Sequence, residues 1–270
     1  MTGLTENLYQ YDETNERIVC HIIDAEGSLN RISELERKHQ PGKTIIYGLP
    51  EHKTALEPAG YRQEGKISGF FNGQDSVVYT KFPDPDRANT ILDEEVSKSM
   101  SIVEHDTTTY TNPELPADFH LEVATEEDME AVASLYDRVF ENYPTGVRDP
   151  SYLREKMGDS YFFVVVKDGE KVVSVAAALV RPRFNCAEIT DCATDPNYRG
   201  HRLLYPIVIK LEELLIDKGI HTMYSMTRAL SPGMNLTVKR LGYTFEGRLV
   251  NNCRIATGLE DMNIWTKVNG

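Results

Sequence analysis

The sequence has no apolar run approaching the roughly 20 residues that span a bilayer, and its polar N-terminus lacks the features of a secretory signal. The expected compartment is the cytoplasm, without membrane association. Cysteine is scarce: Cys20, Cys186, Cys192 and Cys253 stand without C-x-x-C spacing, so neither a zinc site nor a disulfide framework is expected. His201 and His221 have no ligand spacing around them, and no metal is expected. Basic residues are outnumbered, 29 Lys and Arg against 42 Asp and Glu, for a net charge of −13. Nucleic acid and anionic membrane need a basic surface and are not expected as main partners. The deficit is uneven, with 11 basic against 20 acidic residues in 1–116 and 18 against 22 in 117–270. An anionic ligand is therefore sought in the second part.

At 270 residues and 40% hydrophobic composition, the chain can bury a sizeable core, and two domains are the natural expectation. Residues 1–16 are polar and read as frayed or draped over the surface. Arg17–Asp24 and Thr44–Leu49 read as strands around a helix over Ser28–His39. A short helix over Glu51–Pro58 follows, and Lys66–Phe71 with Ser76–Phe82 form a hairpin around Asn72-Gly73. This is a β-α-β-α-β-β unit. A helix near Arg87–Ser99 and a linker lead to a boundary near Pro116.

Beyond it, Thr125 with Asp128 resembles an N-cap pair opening a helix to about Phe140. Pro150–Met157 is a shorter helix. Tyr161–Val166 and Val172–Val180 are apolar strands joined through Asp168-Gly169. Ala187–Thr194 is a strand, followed by a basic glycine turn and an amphipathic helix to Leu215. His221–Met226, Gly233–Leu241, Thr244–Asn251 and Asp261–Lys267 complete a strand, a helix and two strands. G-Y-R-Q-E-G-K at Gly60–Lys66 matches G-Y-T-F-E-G-R at Gly242–Arg248, and V-Y-T-K ending at Lys81 matches I-W-T-K ending at Lys267. The second copy is four residues longer between these anchors, which suggests a degenerate duplication with one enlarged loop.

The turn Tyr198-Arg199-Gly200-His201-Arg202-Leu203 follows a strand and opens a helix. Its backbone N–H groups, the positive end of the helix dipole and two guanidinium groups suit a pyrophosphate. A basic helix start on the surface is the plainer alternative. The stretch resembles the acyl-CoA motif of the GNAT superfamily of N-acetyltransferases, R-G-x-G-x-G or R-G-x-G-x-A, with Arg202 and Leu204 where that family usually has small residues. N-x-A-E-x-T-D-x-A-T-x-P-x-Y-R-G at Asn185–Gly200, R-A-L-S-x-G-M-N at Arg228–Asn235 and L-x-N-N-x-x-I-A-x-G-x-E-x-M-N-x-W at Leu249–Trp265 resemble the β-lysine N-acetyltransferase family within it. G-Y-x-x-E-x-x-I-x-G-F at Gly60–Phe70 extends the likeness to the N-terminal unit.

The resemblance implies an α/β (α+β) fold: a GNAT acetyltransferase domain over 117–270, with a mixed, mostly antiparallel sheet flanked by helices, preceded by a smaller GNAT-like unit and linker over 1–116. It implies acetyl transfer from acetyl-CoA to the ε-amine of β-lysine, by direct attack without a metal. The rivals are another small amine, a protein amine, or a non-catalytic acyl-CoA sensor. Cofactor contacts then fall on Cys192, Ala193, Thr194, Arg199, Gly200, His201, Arg202, Leu203 and Asn235, the last being equally suited to an N-cap. A lysine-type amine near pKa 10.4 must lose a proton before attack. Glu188 or Asp191 can take it; the two share one face only if their strand bulges, and each can instead be an edge carboxylate paired with Arg181 or Arg183. Cys192 has no activating histidine beside it and is not expected to be a nucleophile. The superfamily's usual tyrosine acid is replaced by Val238, leaving Tyr205 and Tyr224 as candidates. Tyr143, Arg148, Asn251, Asn252, Glu260 and Asn263 are the expected substrate contacts, with a turn-and-ladder role as the alternative for Asn251-Asn252. The N-terminal unit either completes the pocket or mediates a homodimer. Osmolyte accumulation and lysine catabolism both fit such an enzyme.

Overall fold

A computed structural model describes residues 7–90, 92–110, 115–141, 143–256 and 258–269. The first half runs β1 (Leu8–Asp12), β2 (Arg17–His21), α1 (Ala25–His39), β3 (Lys43–Gly48), α2 (Lys53–Leu56), β4 (Arg62–Phe71), β5 (Gln74–Lys81) and α3 (Asp93–His105). The second runs β6 (Phe119–Val123), α4 (Met129–Val139), α5 (Pro150–Lys156), β7 (Tyr161–Asp168), β8 (Lys171–Arg181), β9 (Cys186–Thr194), α6 (Leu204–Asp217), β10 (Thr222–Arg228), α7 (Pro232–Arg240), β11 (Thr244–Ile255) and β12 (Gly258–Val268). All strands join one 12-stranded sheet, ordered β1-β2-β3-β5-β4-β11-β12-β10-β9-β8-β7-β6. Among the described residues, no helix is long and apolar enough to cross a membrane.

The pairing pattern occurs twice. β1/β2 and β8/β9 are antiparallel, β2/β3 and β9/β10 parallel, and β3/β5 and β10/β12 antiparallel, each set ending in a hairpin, β4/β5 or β11/β12. The sequence repeat thus has a counterpart in strand order. Its extra length does not enlarge a loop; β11 and β12 have 12 and 11 residues against 10 and 8 for β4 and β5, and β11 bulges between Leu249 and Cys253.

Apolar faces place the layers. α6 packs Ile207, Leu211 and Leu215 with Ala187, Ile189 and Met223 on one face of the second half. α4 packs Met129, Val132 and Tyr136 with Phe163, Val165 and Val175 on the other. A third cluster brings Ile45, Tyr47, Phe70 and Phe71 of the first half against Phe184, Tyr224, Leu249 and Ile264 of the second. The two halves therefore share a core.

Two further expectations are corrected. The segment before residue 17 is not wholly frayed, because Leu8–Asp12 pairs with β2 and its Tyr9 and Tyr11 pack in the cluster under α1; residues 1–6 lie outside the described residues. The helix expected near Arg87 begins at Asp93, after Asp84 caps a 3-10 turn over Pro85–Ala88. Asp93, Glu94 and Glu95 fill its first turn, where the dipole favours acids. Its other end is tied to α7: Lys239 Nζ donates to the carbonyls of Val103 (2.6 Å), Glu104 (3.1 Å) and Asp106 (2.7 Å).

The halves meet where Gly65 of β4 opposes Gly247 of β11, the equivalent positions of the repeat. Gly247 has φ 146°, and a Cβ there would lie 2.4 Å from Gly65 Cα. The preceding glutamates act reciprocally across this point. Glu64 accepts the Val250 N–H at 3.3 Å and the buried Lys43 ammonium at 2.8 Å, while Glu246 accepts the Ser68 N–H at 2.8 Å. Gly247→Ala combines a backbone clash with a φ unsuited to an L side chain and is expected to lower stability by about 3 kcal/mol. Gly60→Ala, at φ 88° but with open space around it, is expected to lose only about 1 kcal/mol. Urea unfolding of the two variants checks this; equal losses would show that the crossing is not tightly constrained.

Candidate active site

β9 and β10 pair for only three positions, Cys186–Glu188 opposite Thr222–Tyr224. At the next step the Ser225 hydroxyl donates to the Ile189 carbonyl at 2.8 Å, and a side chain replaces the ladder. Asn235, fully buried at the start of α7, draws β10 aside. Its Oδ1 accepts from Thr227 Oγ1 (2.6 Å), Asn263 Nδ2 (2.8 Å) and Trp265 Nε1 (2.8 Å), and its Nδ2 donates to the carbonyls of Arg228 (3.0 Å) and Ser231 (2.8 Å). β10 is thereby fastened to β12 and α7, and the strands part to open a cleft of about 660 Å³.

The wall formed by β9 is irregular. Ala177 opposes Thr190 and Val175 opposes Ala193, so Ala176 faces two residues, Asp191 and Cys192. This bulge, with Asp191 at φ 50°, meets the condition for Glu188 and Asp191 to share a face. Asp191 is buried and lines the cleft. Its carboxylate accepts the Tyr143 hydroxyl at 2.7 Å and also the Tyr161 hydroxyl. Burial raises its pKa above the ordinary carboxylate range against the opposing pull of these donors. Burial, reinforced by the Asp191 charge, raises both phenols too, so they remain hydrogen-bond donors. Cys192 also lines the cleft, but burial and then Asp191 push its thiol up to about 12. A neutral thiol is a poor nucleophile.

Glu188 is engaged elsewhere. It receives Arg181 Nη2 at 3.4 Å and the Tyr224 hydroxyl at 3.2 Å. This is the edge pairing held open as its alternative, and it removes Tyr224 from the cleft as well.

Below the bulge, Ala193 and Thr194 continue the cleft wall into the basic turn, where Arg199, Gly200, Arg202 and Leu203 line the opening. Asp195 holds the turn, accepting the Asn197 N–H at 3.0 Å and pairing with Lys171 at 3.0 Å. Gly200 has φ 90° and open space around it. Arg202 has φ 61°, the left-handed conformation for which a glycine is suited, and its guanidinium lies over the Tyr110 ring at 5.2 Å. His201 instead packs edge-on against Phe119. Tyr205, in the first turn of α6, lines the cleft with its hydroxyl accepting from Arg240 at 3.2 Å. Val238 is buried in the core.

Of the expected substrate contacts, only Tyr143 is brought to Asp191. Arg148 lies on the surface at 3.6 Å from Asp137. The Asn251 amide donates to the carbonyls of Arg87 (3.0 Å) and Asn89 (2.8 Å), and the Asn252 carbonyl accepts from Arg17 at 2.8 Å. Both asparagines fasten the β11 bulge to the first half. Asn263 serves Asn235, and Asn235 itself faces inward, not toward a cofactor. Glu260 forms a bidentate pair with Arg228, which does line the cleft. Arg228 and Tyr161 join the site without a sequence signal of their own: Tyr161 begins an apolar strand run, and Arg228 opens the R-A-L-S motif. Among the described residues, no group of three His, Cys, Asp or Glu is placed to hold a metal.

The raised pKa of Asp191 has a thermodynamic consequence. The native state holds the proton more tightly than the unfolded chain, so stability falls as pH rises from the unfolded pKa through the native one. Asp191→Asn removes that dependence. Its melting temperature relative to the wild type is expected to be higher at pH 8 than at pH 4, and a difference independent of pH would contradict the assignment.

The acetyltransferase (GNAT) family model matches residues 129–243. The β-lysine N(6)-acetyltransferase of Methanosarcina mazei is 34% identical over 262 residues, covering 90% of this chain and 96% of its own. The N-acetyltransferase YodP of Bacillus subtilis is 32% identical, covering 98% and 97%. The ribosomal-protein-S18-alanine N-acetyltransferase of Escherichia coli aligns in structure with a TM-score of 0.49 at 19% identity, over 56% of this chain and 93% of its own. With its sequence aligned almost end to end to a β-lysine N(6)-acetyltransferase, the chain belongs to the β-lysine N-acetyltransferase family of the GNAT superfamily.

Proposed function

We propose that the protein transfers the acetyl group of acetyl-CoA to the ε-amine of β-lysine, giving Nε-acetyl-β-lysine. The observation that carries the reading is the buried Asp191 at the β9 bulge, facing a cleft whose other end is the basic turn. The M. mazei relative and a second β-lysine N(6)-acetyltransferase, from Methanococcus maripaludis at 27% identity, favour this acceptor.

The residues present fit acetyl-CoA. The β9 edge beyond Ile189 has lost its β10 partner, leaving peptide groups available to a pantetheine chain and to the oxygen that gains charge. The start of α6 leaves first-turn N–H groups without helical acceptors, and Arg199 and Arg202 supply positive charge for a pyrophosphate. Asp191 takes the proton from the ε-ammonium, and Tyr143 and Tyr161 hold the carboxylate in place. The free amine forms the new C–N bond as the C–S bond breaks, and the second proton the nitrogen then loses offsets the one given to the departing thiolate. To Tyr205, which lines the cleft with Arg240 against its hydroxyl, we assign the return of a proton to the thiolate, the role that Val238 cannot fill.

In this reading, residues 117–270 form the catalytic domain and 1–116 a degenerate GNAT-like unit. The unit's contribution is support of the acceptor wall through its grip on β11, not a second active site. Use of acetyl-CoA on a small metabolite fits a cytoplasmic enzyme.

Thiol release from acetyl-CoA with β-lysine, α-lysine and spermidine side by side tests the proposal, with mass spectrometry locating the acetyl group. β-Lysine is expected to be preferred by at least about tenfold in kcat/KM, equivalent to ~1.4 kcal/mol, with acetyl on the ε-nitrogen. Turnover of spermidine but not β-lysine would overturn the acceptor. CoA binding without turnover of any amine would favour a non-catalytic sensor.

A further inference from the structure

Arg228 is the last residue of β10, and its surroundings define which end of an acceptor it meets. Side chains alternate along the strand. Thr227 points toward α7 and bonds Asn235, whereas Tyr224 and Met226 pack on the opposite face, in the cluster that joins the two halves. Arg228 shares that second face with Tyr224, whose hydroxyl bonds Glu188, and the β9 bulge puts Asp191 on the same side as Glu188. The guanidinium and the base thus face the acceptor side of the cleft, away from α6 and the basic turn.

Between them the wall is apolar, formed by Met226, Met262 and Ile255 with Phe140 and Tyr143. It suits methylene groups. Arg228 is 39% exposed, whereas its partner Glu260 is 4% exposed. Nε and Nη2 of Arg228 hold Glu260 at 2.8 and 2.7 Å. Of the five N–H donors of a guanidinium, this pairing uses two and leaves three, including both on Nη1, for a ligand. The buried glutamate fixes the direction in which they point.

We propose that Arg228 recognises the carboxylate of the acceptor, and that Glu260 is its positioning residue. The inference rests on the reading of the cleft as an amine-acetylating site and names what selects the amine: an ω-amino acid with an aliphatic chain between its charges. The lengths agree. Six bonds separate the ε-nitrogen of β-lysine from its carboxylate carbon, about 7 Å extended at three bonds per ~3.5 Å. Asp191 and Arg228 lie on strands that have parted beyond the ~4.8 Å ladder spacing.

The test compares β-lysine with 1,5-diaminopentane, which keeps a terminal amine and lacks the carboxylate. Arg228→Met alone strands a buried glutamate, so Arg228→Met/Glu260→Gln is measured beside it. The preference for β-lysine is expected to fall by about 30-fold in both variants, the order of a hydrogen-bonded charge pair. The loss should appear in the KM for β-lysine, with the KM for acetyl-CoA unmoved, and Arg228→Lys should restore part of it. Equal losses on both acceptors, or a rise in the KM for acetyl-CoA, would overturn the assignment. Calorimetric binding of the two acceptors in the presence of CoA makes the same comparison without turnover. If the wild type rejects β-lysine, the acceptor identity fails on its own; the carboxylate assignment is then judged with 6-aminohexanoate against 1,5-diaminopentane, and falls if the variants bind the two as the wild type does.

Discussion

One extra residue in β9 shapes the cleft of this protein. A regular strand would send Glu188 and Asp191 to opposite faces and keep β9 paired along its length. The bulge opposite Ala176 turns Asp191 onto the face that Glu188 shares, and the loss of pairing with β10 beyond Ile189 opens the cleft beside it. The residues of the candidate site are arranged around that irregularity. Tyr143 arrives from the loop after α4 and Tyr161 from the start of β7, and together they restrain a carboxylate that burial would otherwise make far harder to ionise. A carboxylate with a raised pKa is a better match to an amine than an exposed one.

The N-terminal half acts on the site from a distance. Arg87 is buried and binds only main chain: Nη1 donates to the carbonyls of Asn15 (2.8 Å) and Glu16 (3.0 Å), and Nε to that of Asn251 (3.0 Å). Burial lowers its pKa to about 10, which leaves it charged at neutral pH. With Arg17 on the Asn252 carbonyl and Lys43 on the Val250 carbonyl at 2.7 Å, three cations of the first half satisfy the carbonyls that the β11 bulge frees from its ladder. That bulge precedes Ile255 in the cleft wall and lies beside Glu260, so this side of the cleft is shaped by residues that never touch it. The close approach of Gly65 to Gly247 lets the halves meet here.

Much of this was readable from local chemistry. Asn72-Gly73 forms the expected hairpin turn, with φ of 52° and 93°, because these residues tolerate positive φ. Thr125 and Asp128 form the expected capping box, with the Thr125 N–H to the carboxylate at 2.7 Å. The glycine turn lies at the mouth of the cleft for the same reason: its geometry is written in consecutive residues. The misplaced residues depend on distant ones. The adjacent amides Asn251 and Asn252 suggest a pocket lining, yet their partners Arg87 and Arg17 are far away in sequence. Arg148 and Arg228 have the same chemistry, and only the parity of β10 and the buried Glu260 decide which one faces the cleft. The short strand Leu8–Asp12 was missed because its stability comes from the edge of β2 and the α1 cluster, not from its own composition.

The central claim is that Asp191 is the proton acceptor, and the pH dependence of kcat at saturating substrates tests it most directly. The wild type is expected to lose activity on the acid side with a slope near one, at a midpoint above the ~3.9 of an ordinary aspartate. In Asp191→Asn the residual rate should be lower by at least about tenfold and that limb should vanish. An acid limb of the same midpoint and slope in the variant would place the proton acceptor elsewhere and contradict the account.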